Sequence, residues 1–324
     1  MAQVPASLLR SLVERACRAP SVHNTQPWRW TLTRTGVSLY ADRNRRLMHT
    51  DPRGRDLVMS CGAALHTLVV AAAGEGLRAR VQHLPDADDP DHLASIRFVP
   101  STASGLDRDL AAAVVDRRTD RRPPSSWPVP AERLIKAAEL ASRHGVRATE
   151  VPETGPVDVH RIVLEAQRIQ GFDRGYHDEL LAYSQTRQGA GVPAANVPER
   201  HDDTDLAAPR FPSGALPATA PGGRPSPAWL LLSTSSDDAL SWLRAGIALQ
   251  AVWLWATVER MAVVPYSQPF EVDRTRLMLQ RDLLDDSSCP QLLLRLGWPP
   301  LAAAPVPATP RRPLEEVLVS GSTA

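Results

Sequence analysis

Lysine is almost missing from this chain of 324 residues: Lys136 stands alone, and the other 36 of its 37 basic residues are arginines. Any anion held by a side-chain cation is therefore held by a guanidinium, whose planar fork of donors matches phosphate and carboxylate oxygens. Cysteine is scarce too. Cys17, Cys61 and Cys289 are odd in number, far apart and in no CxxC pair, which argues against a disulfide framework or a thiolate zinc site. Charge of neither sign dominates, with 37 basic against 36 acidic residues, so no general field exists for nucleic acid or an anionic membrane. No uninterrupted apolar run reaches the length of a membrane span. Arg10, Glu14 and Arg15 break up the N-terminal apolar residues, so no signal peptide is expected. The nine histidines include no HxxxH pair, and no metal site is expected. P-loop, GxGxxG and GxSxG patterns are missing as well. These absences lead to the expectation of a soluble, reduced, cytoplasmic protein.

What is present suffices for a large core. Apolar residues make up 43% and charged ones 23%, and the length suits two domains or one large fold. Ser7 is placed to cap a first helix carrying Leu8, Leu9, Leu12, Val13 and Ala16. Residues 28–34 and 37–41 alternate about Gly36 as a hairpin. A long helix is predicted over 55–73, closed by Gly74 and Gly76, then strands near 78–83 and 94–99 and a helix over 107–117. The second half repeats the rhythm. It has a helix from Pro130 to Arg143, a strand over 145–151 and helices at 157–170 and 173–187. A Trp-rich helix (237–260), a strand (261–266), a helix (273–283) and a strand (291–296) follow. Between them, 189–227 is rich in Pro and Gly and reads as an irregular segment, a lid or a disordered excursion. The Pro-rich tail from Pro299 to Leu318 reads as extended over a surface.

Sliding the chain by 184 positions (246 − 62) superposes residues 61–79 on 245–263 without gaps. Gly62/Gly246, Ala64/Ala248, Leu65/Leu249, Ala72/Ala256 and Glu75/Glu259 then coincide, and the order of elements matches on either side. Trp242, Trp253 and Trp255 are expected in packing rather than as a stacking platform.

The segment APSVHNTQPWRW (19–30) bridges the first helix and the first strand. Ser21, Asn24 and Gln26 offer hydroxyl and amide groups, stiffened by Pro20 and Pro27. That composition suits the edge of a planar heterocycle, and equally a polar connector satisfied by its own backbone. A second cluster, Arg117-Arg118-Thr119-Asp120-Arg121-Arg122, is a dense cationic fork or a solvated basic turn. Two further stretches stand out, PYSQPF after the Trp-rich helix and PRRPLEE in the tail.

The run Pro20-Ser21-Val22-His23-Asn24-Thr25-Gln26-Pro27-Trp28 resembles the signature of the FMN-dependent nitroreductase family, in its Acg-like branch of fused, double-length proteins. The resemblance covers most of the chain outside about 171–235. It implies that Pro20, Ser21, Val22, Asn24 and Gln26 approach the flavin, along with Arg117, Thr119 and Arg121, and that Arg118 contacts phosphate or ribityl. Pro265, Tyr266, Ser267 and Gln268 would pass beside the ring, where many members carry Glu-Gly at the last two positions. Arg311, with Arg312 as the alternative, would reach the phosphate. His23 is expected at the surface or behind the site, with no proton-transfer role, and no dedicated catalytic residue is assigned.

The parts are unequally shared. Residues 1–115 hold PSVHNTQPW and lack an Arg-rich start, whereas 116–324 hold RRTDRR, PYSQP and PRRPLEE and carry Ala141-Ser142-Arg143-His144-Gly145 where a second PSxxN would fall. The expected fold is therefore α+β and nitroreductase-like. Two fused halves, 1–115 and 116–324, form an internal pseudo-dimer of mainly antiparallel sheets flanked by helices, with one complete flavin site, and the chain is a monomer. The expected function is an FMN-binding oxidoreductase passing hydride from NAD(P)H to a nitro, quinone or related acceptor. The alternative is an FMN store with little turnover.

Overall fold

The computed structural model describes residues 4–152, 158–184, 189–199, 210–211, 214–217 and 224–319. Two sheets are separated by a layer of helices. The first contains β1 (Trp28–Thr33), β2 (Gly36–Ala41), β3 (Leu77–His83), β4 (His92–Pro100) and a two-residue strand β9 (Leu318–Val319), in the order β3-β4-β2-β1-β9. The second contains β5 (Arg147–Val151), β6 (Ala228–Thr234), β7 (Ala262–Tyr266) and β8 (Cys289–Gly297), in the order β5-β6-β8-β7. Every strand pair is antiparallel except β1–β9. The α+β expectation stands.

The expected hairpin is β1–β2, in register from Trp28↔Ala41 to Thr33↔Gly36. Helix α1 (Ala6–Ala16) turns Leu9, Leu12, Val13 and Ala16 inward. Its cap is Pro5 and not Ser7, which lies within the first turn. Helices α2 (Arg55–Gly74), α3 (Gly105–Asp116), α4 (Ala131–Ser142), α5 (Val159–Gln170) and α6 (Arg174–Tyr183) follow near their predicted bounds. So do α7 (Ala239–Val258) and α9 (Asp273–Leu284), with a single extra turn, α8 (Gln268–Glu271), between β7 and α9. The tail does not merely drape over a surface: it ends in β9, which joins the first sheet beside β1.

Long helices α2 and α7 cross at the centre. Both are apolar on nearly every side, which requires burial all round. By length and composition α2 could span a membrane, but it is largely enclosed by the fold. The crossing is set by Gly62 and Gly246. A Cβ on Gly62 would sit 2.1 Å from the Leu243 carbonyl oxygen, and one on Gly246 would sit 1.9 Å from that of Met59. Backbone therefore packs on backbone, and the two glycines superposed by the sequence repeat meet each other. A buried hydrogen bond from Gln250 Nε2 to Thr67 Oγ1 (3.0 Å) ties the helices further along.

His66, on α2, stacks edge-on with His144 beyond α4, ring centres 5.3 Å apart. Burial, then the His144 charge, lowers the His66 pKa to about 3. The folded ring thus stays neutral at pH 5, whereas the unfolded ring takes up a proton below about 6.5. The stability that His66 contributes is complete above the unfolded pKa and falls as pH drops. Going from pH 7 to 5 should cost about 2 kcal/mol through this ring alone. His66→Phe should remove that part of the acid sensitivity, measured as the difference in urea-unfolding free energy at the two pH values.

Candidate functional site

Three strained residues shape the first wall. After α1 the chain makes a tight turn in which His23, Asn24 and Gln26 have φ of 45°, 56° and 53°. Left-handed backbone costs a non-glycine residue roughly 1 kcal/mol or more, so something must hold it. Part of the restraint is local: the Ser21 hydroxyl accepts from the Gln26 N–H (2.9 Å), and the Ser60 hydroxyl on α2 accepts from the Val22 N–H (3.1 Å). Part comes from distant segments. Asn24 Nδ2 donates to the carbonyls of Gly191 and Pro310, both at 3.0 Å. Gln26 Nε2 donates to Gly189 O (2.8 Å), and its Oε1 accepts from the Arg312 N–H (2.9 Å). These amides gather the irregular segment and the tail around one cleft.

The cleft lies between the two sheets. Pro20, Ser21, Val22 and Asn24 line one side, and Arg117, Arg118, Thr119 and Arg121 enter from the chain after α3. Pro265, Tyr266, Ser267 and Gln268 close it at the β7–α8 junction, and Arg311 enters from the tail. A parallel bridge between Thr119 and Val263 brings the arginine run alongside β7. Val114, Leu249, Val264 and Leu292 supply apolar wall. Of the residues singled out in the sequence, Gln26 and the alternative Arg312 stand outside, and Gln26 is the deeper. It is fully buried behind the cleft, holding backbone.

The electrostatics of this cleft are unusual. Arg117 is 5% exposed, and its Nε and Nη1, with Arg118 Nε, are buried without an acceptor among the described residues. Arg117 lies over the Trp253 ring, 4.4 Å from its centre. Trp253 belongs to the packed core, as expected, and also seats this cation. Burial, then the Arg311 and Arg118 charges, lowers the Arg117 pKa well below the guanidinium range. Burial likewise lowers Arg121 and Arg311, each to about 10. A guanidinium does not shed its proton in water at neutrality, so these shifts describe cations crowded together and short of counter-charge.

Arg311 differs from Arg117 in having acceptors for its donors. Its Nε donates to Cys17 O (2.8 Å), Nη2 to Arg18 O (2.9 Å) and Ala19 O (3.2 Å), and Nη1 to Thr309 Oγ1 (2.6 Å) and Pro310 O (2.9 Å). It ties the tail to the end of α1. Arg312 lies outside the cleft, with Nη1 on Glu316 (3.1 Å).

Several cleft residues carried no signal in the sequence. His23, expected at the surface or behind the site, is instead buried in the wall, edge-on to Phe211 with ring centres 5.2 Å apart. Burial, then Arg210 and Arg121, lowers its pKa far enough to keep the ring neutral. Described pieces of the irregular segment also border the cleft, through Val192, Asn196, Arg210 and Phe211. The rest of the expected lid, residues 200–209, 212–213 and 218–223, lies outside the described residues. Arg210 Nη1 grips Glu271 at 2.8 and 2.7 Å, and the Ser267 hydroxyl donates to the same carboxylate (2.8 Å).

Two Mycobacterium tuberculosis proteins are similar to this chain over nearly its whole length. One, Rv3131, provisionally assigned as an NAD(P)H nitroreductase, is 40% identical over 322 residues, covering 97% of this chain and 91% of its own. The other, acg, with the same provisional assignment, is 34% identical over 321 residues, covering 97% and 96%. The chain belongs to the Acg-like nitroreductase family. No family model matches it. A solved FMN-dependent nitroreductase, NfnB of Mycobacterium smegmatis in complex with NADPH, is 17% identical, with a TM-score of 0.44 over 67% of this chain and 99% of that one. In this Acg-like chain the signature segment, the arginine run and the β7–α8 turn thus border a single cleft, although they lie up to 248 positions apart (268 − 20).

Proposed function

We propose that the chain binds FMN in this cleft and uses it to pass reducing equivalents from NAD(P)H to a small acceptor such as a quinone or nitro compound. The observation that carries the reading is the set of orphaned guanidinium donors on Arg117 and Arg118. A buried cation with unmet donors, as Arg117 is, costs several kcal/mol, and a phosphate dianion supplies acceptors and charge for those donors and for Arg118 Nε. Because the donors of Arg311 already have acceptors, we assign the phosphate to Arg117 and Arg118 and give Arg311 the task of positioning the tail. The apolar wall of Val264, Leu249 and Leu292 suits the face of a flat ring, and Asn24, Ser21 and the 265–268 turn suit its polar edge.

When bound, the flavin supplies the hydride chemistry, and the protein's contribution is orientation, charge and exclusion of water. The cationic cleft favours negative charge developing on a reduced ring. The described pieces of 189–211 limit which acceptors approach. We read the chain as two fused halves, 1–115 and 116–324, meeting at the α2–α7 crossing, because this cleft needs the signature segment of one and the arginine run of the other.

The test is anaerobic mixing of the flavin-loaded protein with NADPH or NADH, followed by a quinone and nitroarene panel. Bleaching of the flavin, then its reoxidation by an acceptor, is the expected result. Flavin that stays oxidised under excess nicotinamide would remove the reductase reading and leave FMN storage.

A further inference from the structure

From the carboxyl group of Asp56 we infer that the cleft contains its own proton donor, which delivers a proton to the acceptor during reduction; this rests on the reductase reading above. Asp56 is the second residue of α2, 3% exposed, and the one carboxyl group among the described residues that line the cleft. One of its oxygens is committed: Oδ1 accepts from Arg55 Nη2 at 2.7 Å. The other, Oδ2, is buried and has no partner among the described residues. Arg55 cannot serve it with its other arm, because Nη1 donates to the Gln291 carbonyl at 2.6 Å. A carboxylate left with one bare buried oxygen is costly, and the same group as an acid has an O–H to offer.

The charges around Asp56 agree. On its own helix Arg55 favours the anion. Asp51, in the loop before α2, and Glu271, on α8, oppose it, while Arg210, from the irregular segment, and Arg276, on α9, act with Arg55. Burial outweighs these and raises the Asp56 pKa. Asp51 is raised too, by burial and then by Asp56, so the pair holds protons well above the usual carboxylate range. The other ionisable ring of the signature segment, His23, is held neutral and has no spare proton to give near pH 7.

The chemistry requires such a group. Reduction of a quinone by NAD(P)H consumes one hydride and one proton: quinone + NAD(P)H + H⁺ gives hydroquinone + NAD(P)⁺. The hydride's two electrons and proton would be supplied by the nicotinamide, the bound flavin providing the transfer chemistry. The additional proton moves from Asp56 Oδ2 to a quinone oxygen as the new O–H bond forms. The carboxylate left behind is reprotonated from solvent water before the next turnover.

Two measurements test this. Infrared difference spectra of the FMN-free protein between pH 5 and 8 should show a protonated-carboxyl band that disappears in Asp56→Asn, persists in Asp51→Asn, and shifts when FMN fills the cleft. Absence of any band dependent on Asp56, or a band blind to FMN, overturns the proposal. In rapid mixing, Asp56→Asn should slow the quinone step about 100-fold, the range for loss of a general acid, and by far more than it slows flavin reduction by NADPH. An unchanged quinone step, or a tenfold loss of FMN affinity in its place, would make Asp56 a structural or cofactor contact and overturn the assignment. Flavin that binds but reduces no acceptor overturns the donation too. That outcome traces to the reductase reading if the carboxyl band is still present and responsive.

Discussion

Arg117→Met weakens FMN binding by about 100-fold and leaves the FMN-free protein at least as stable as the parent. The two effects have opposite signs for one reason. In the free protein Arg117 is a buried cation with two donor nitrogens unmet, and the Arg311 and Arg118 charges crowd it. Its compensation is the Trp253 face and a long bond to Arg18 O at 3.3 Å. The ring contributes about 1–2 kcal/mol, less than the several kcal/mol of burying an unpaired charge. Methionine fills much of the same volume and removes that cost. With FMN bound the balance reverses, since a charge-assisted hydrogen bond contributes about 1.5–3 kcal/mol and two are lost. Isothermal titration with FMN, alongside thermal unfolding of the free protein, reads both signs. A variant destabilised without FMN and unaltered in FMN affinity would mean that Arg117 is structural.

Gly246→Ala should destabilise the chain by about 3 kcal/mol or more, lowering the melting temperature by roughly 10 °C. The added methyl would lie 1.9 Å from the Met59 carbonyl oxygen and 2.7 Å from its carbon, which are backbone atoms of a central helix and cannot swing aside. Helices α2 and α7 must separate, opening the core on both sides. Gly62→Ala strikes the same contact from the other helix, at 2.1 Å from Leu243 O. The double variant should therefore cost less than the sum of the singles. Gly105→Ala is the control: no atom lies within 4 Å of its added Cβ, and at a helical position alanine should be neutral or better. Since Asp56, Met59 and Ser60 on α2 and Leu249 on α7 all line the cleft, separating the helices should also weaken FMN binding.

Periodicity made most elements legible. The alternation of WRWTLT and GVSLYA about Gly36 specifies the β1–β2 hairpin, and the apolar run from Leu57 to Ala73 between charged and glycine ends specifies α2. Strand β6 escaped notice because AWLLLST is buried on nearly every residue, so it has no alternation to read. The two-residue β9 exists only because tertiary contacts hold the tail beside β1. The cleft was legible where side chains cluster in sequence, as in PSVHN, RRTDR and PYSQ. Asp56 was not, since a lone acid in a helix's first turn looks like any other until burial leaves one of its oxygens without a partner, and His23 was legible in place but not in its burial. Gln26 illustrates the reverse. Its amide suited a heterocycle edge, yet packing placed it one layer behind, holding Gly189 and Arg312.

The most direct measurement is the visible absorbance of the purified protein, followed by titration of any apoprotein with FMN. The account predicts the flavin spectrum, one FMN per chain and tight binding that collapses in Arg117→Met. Colourless protein that takes up no FMN would contradict it, as would two equivalent FMN sites per chain.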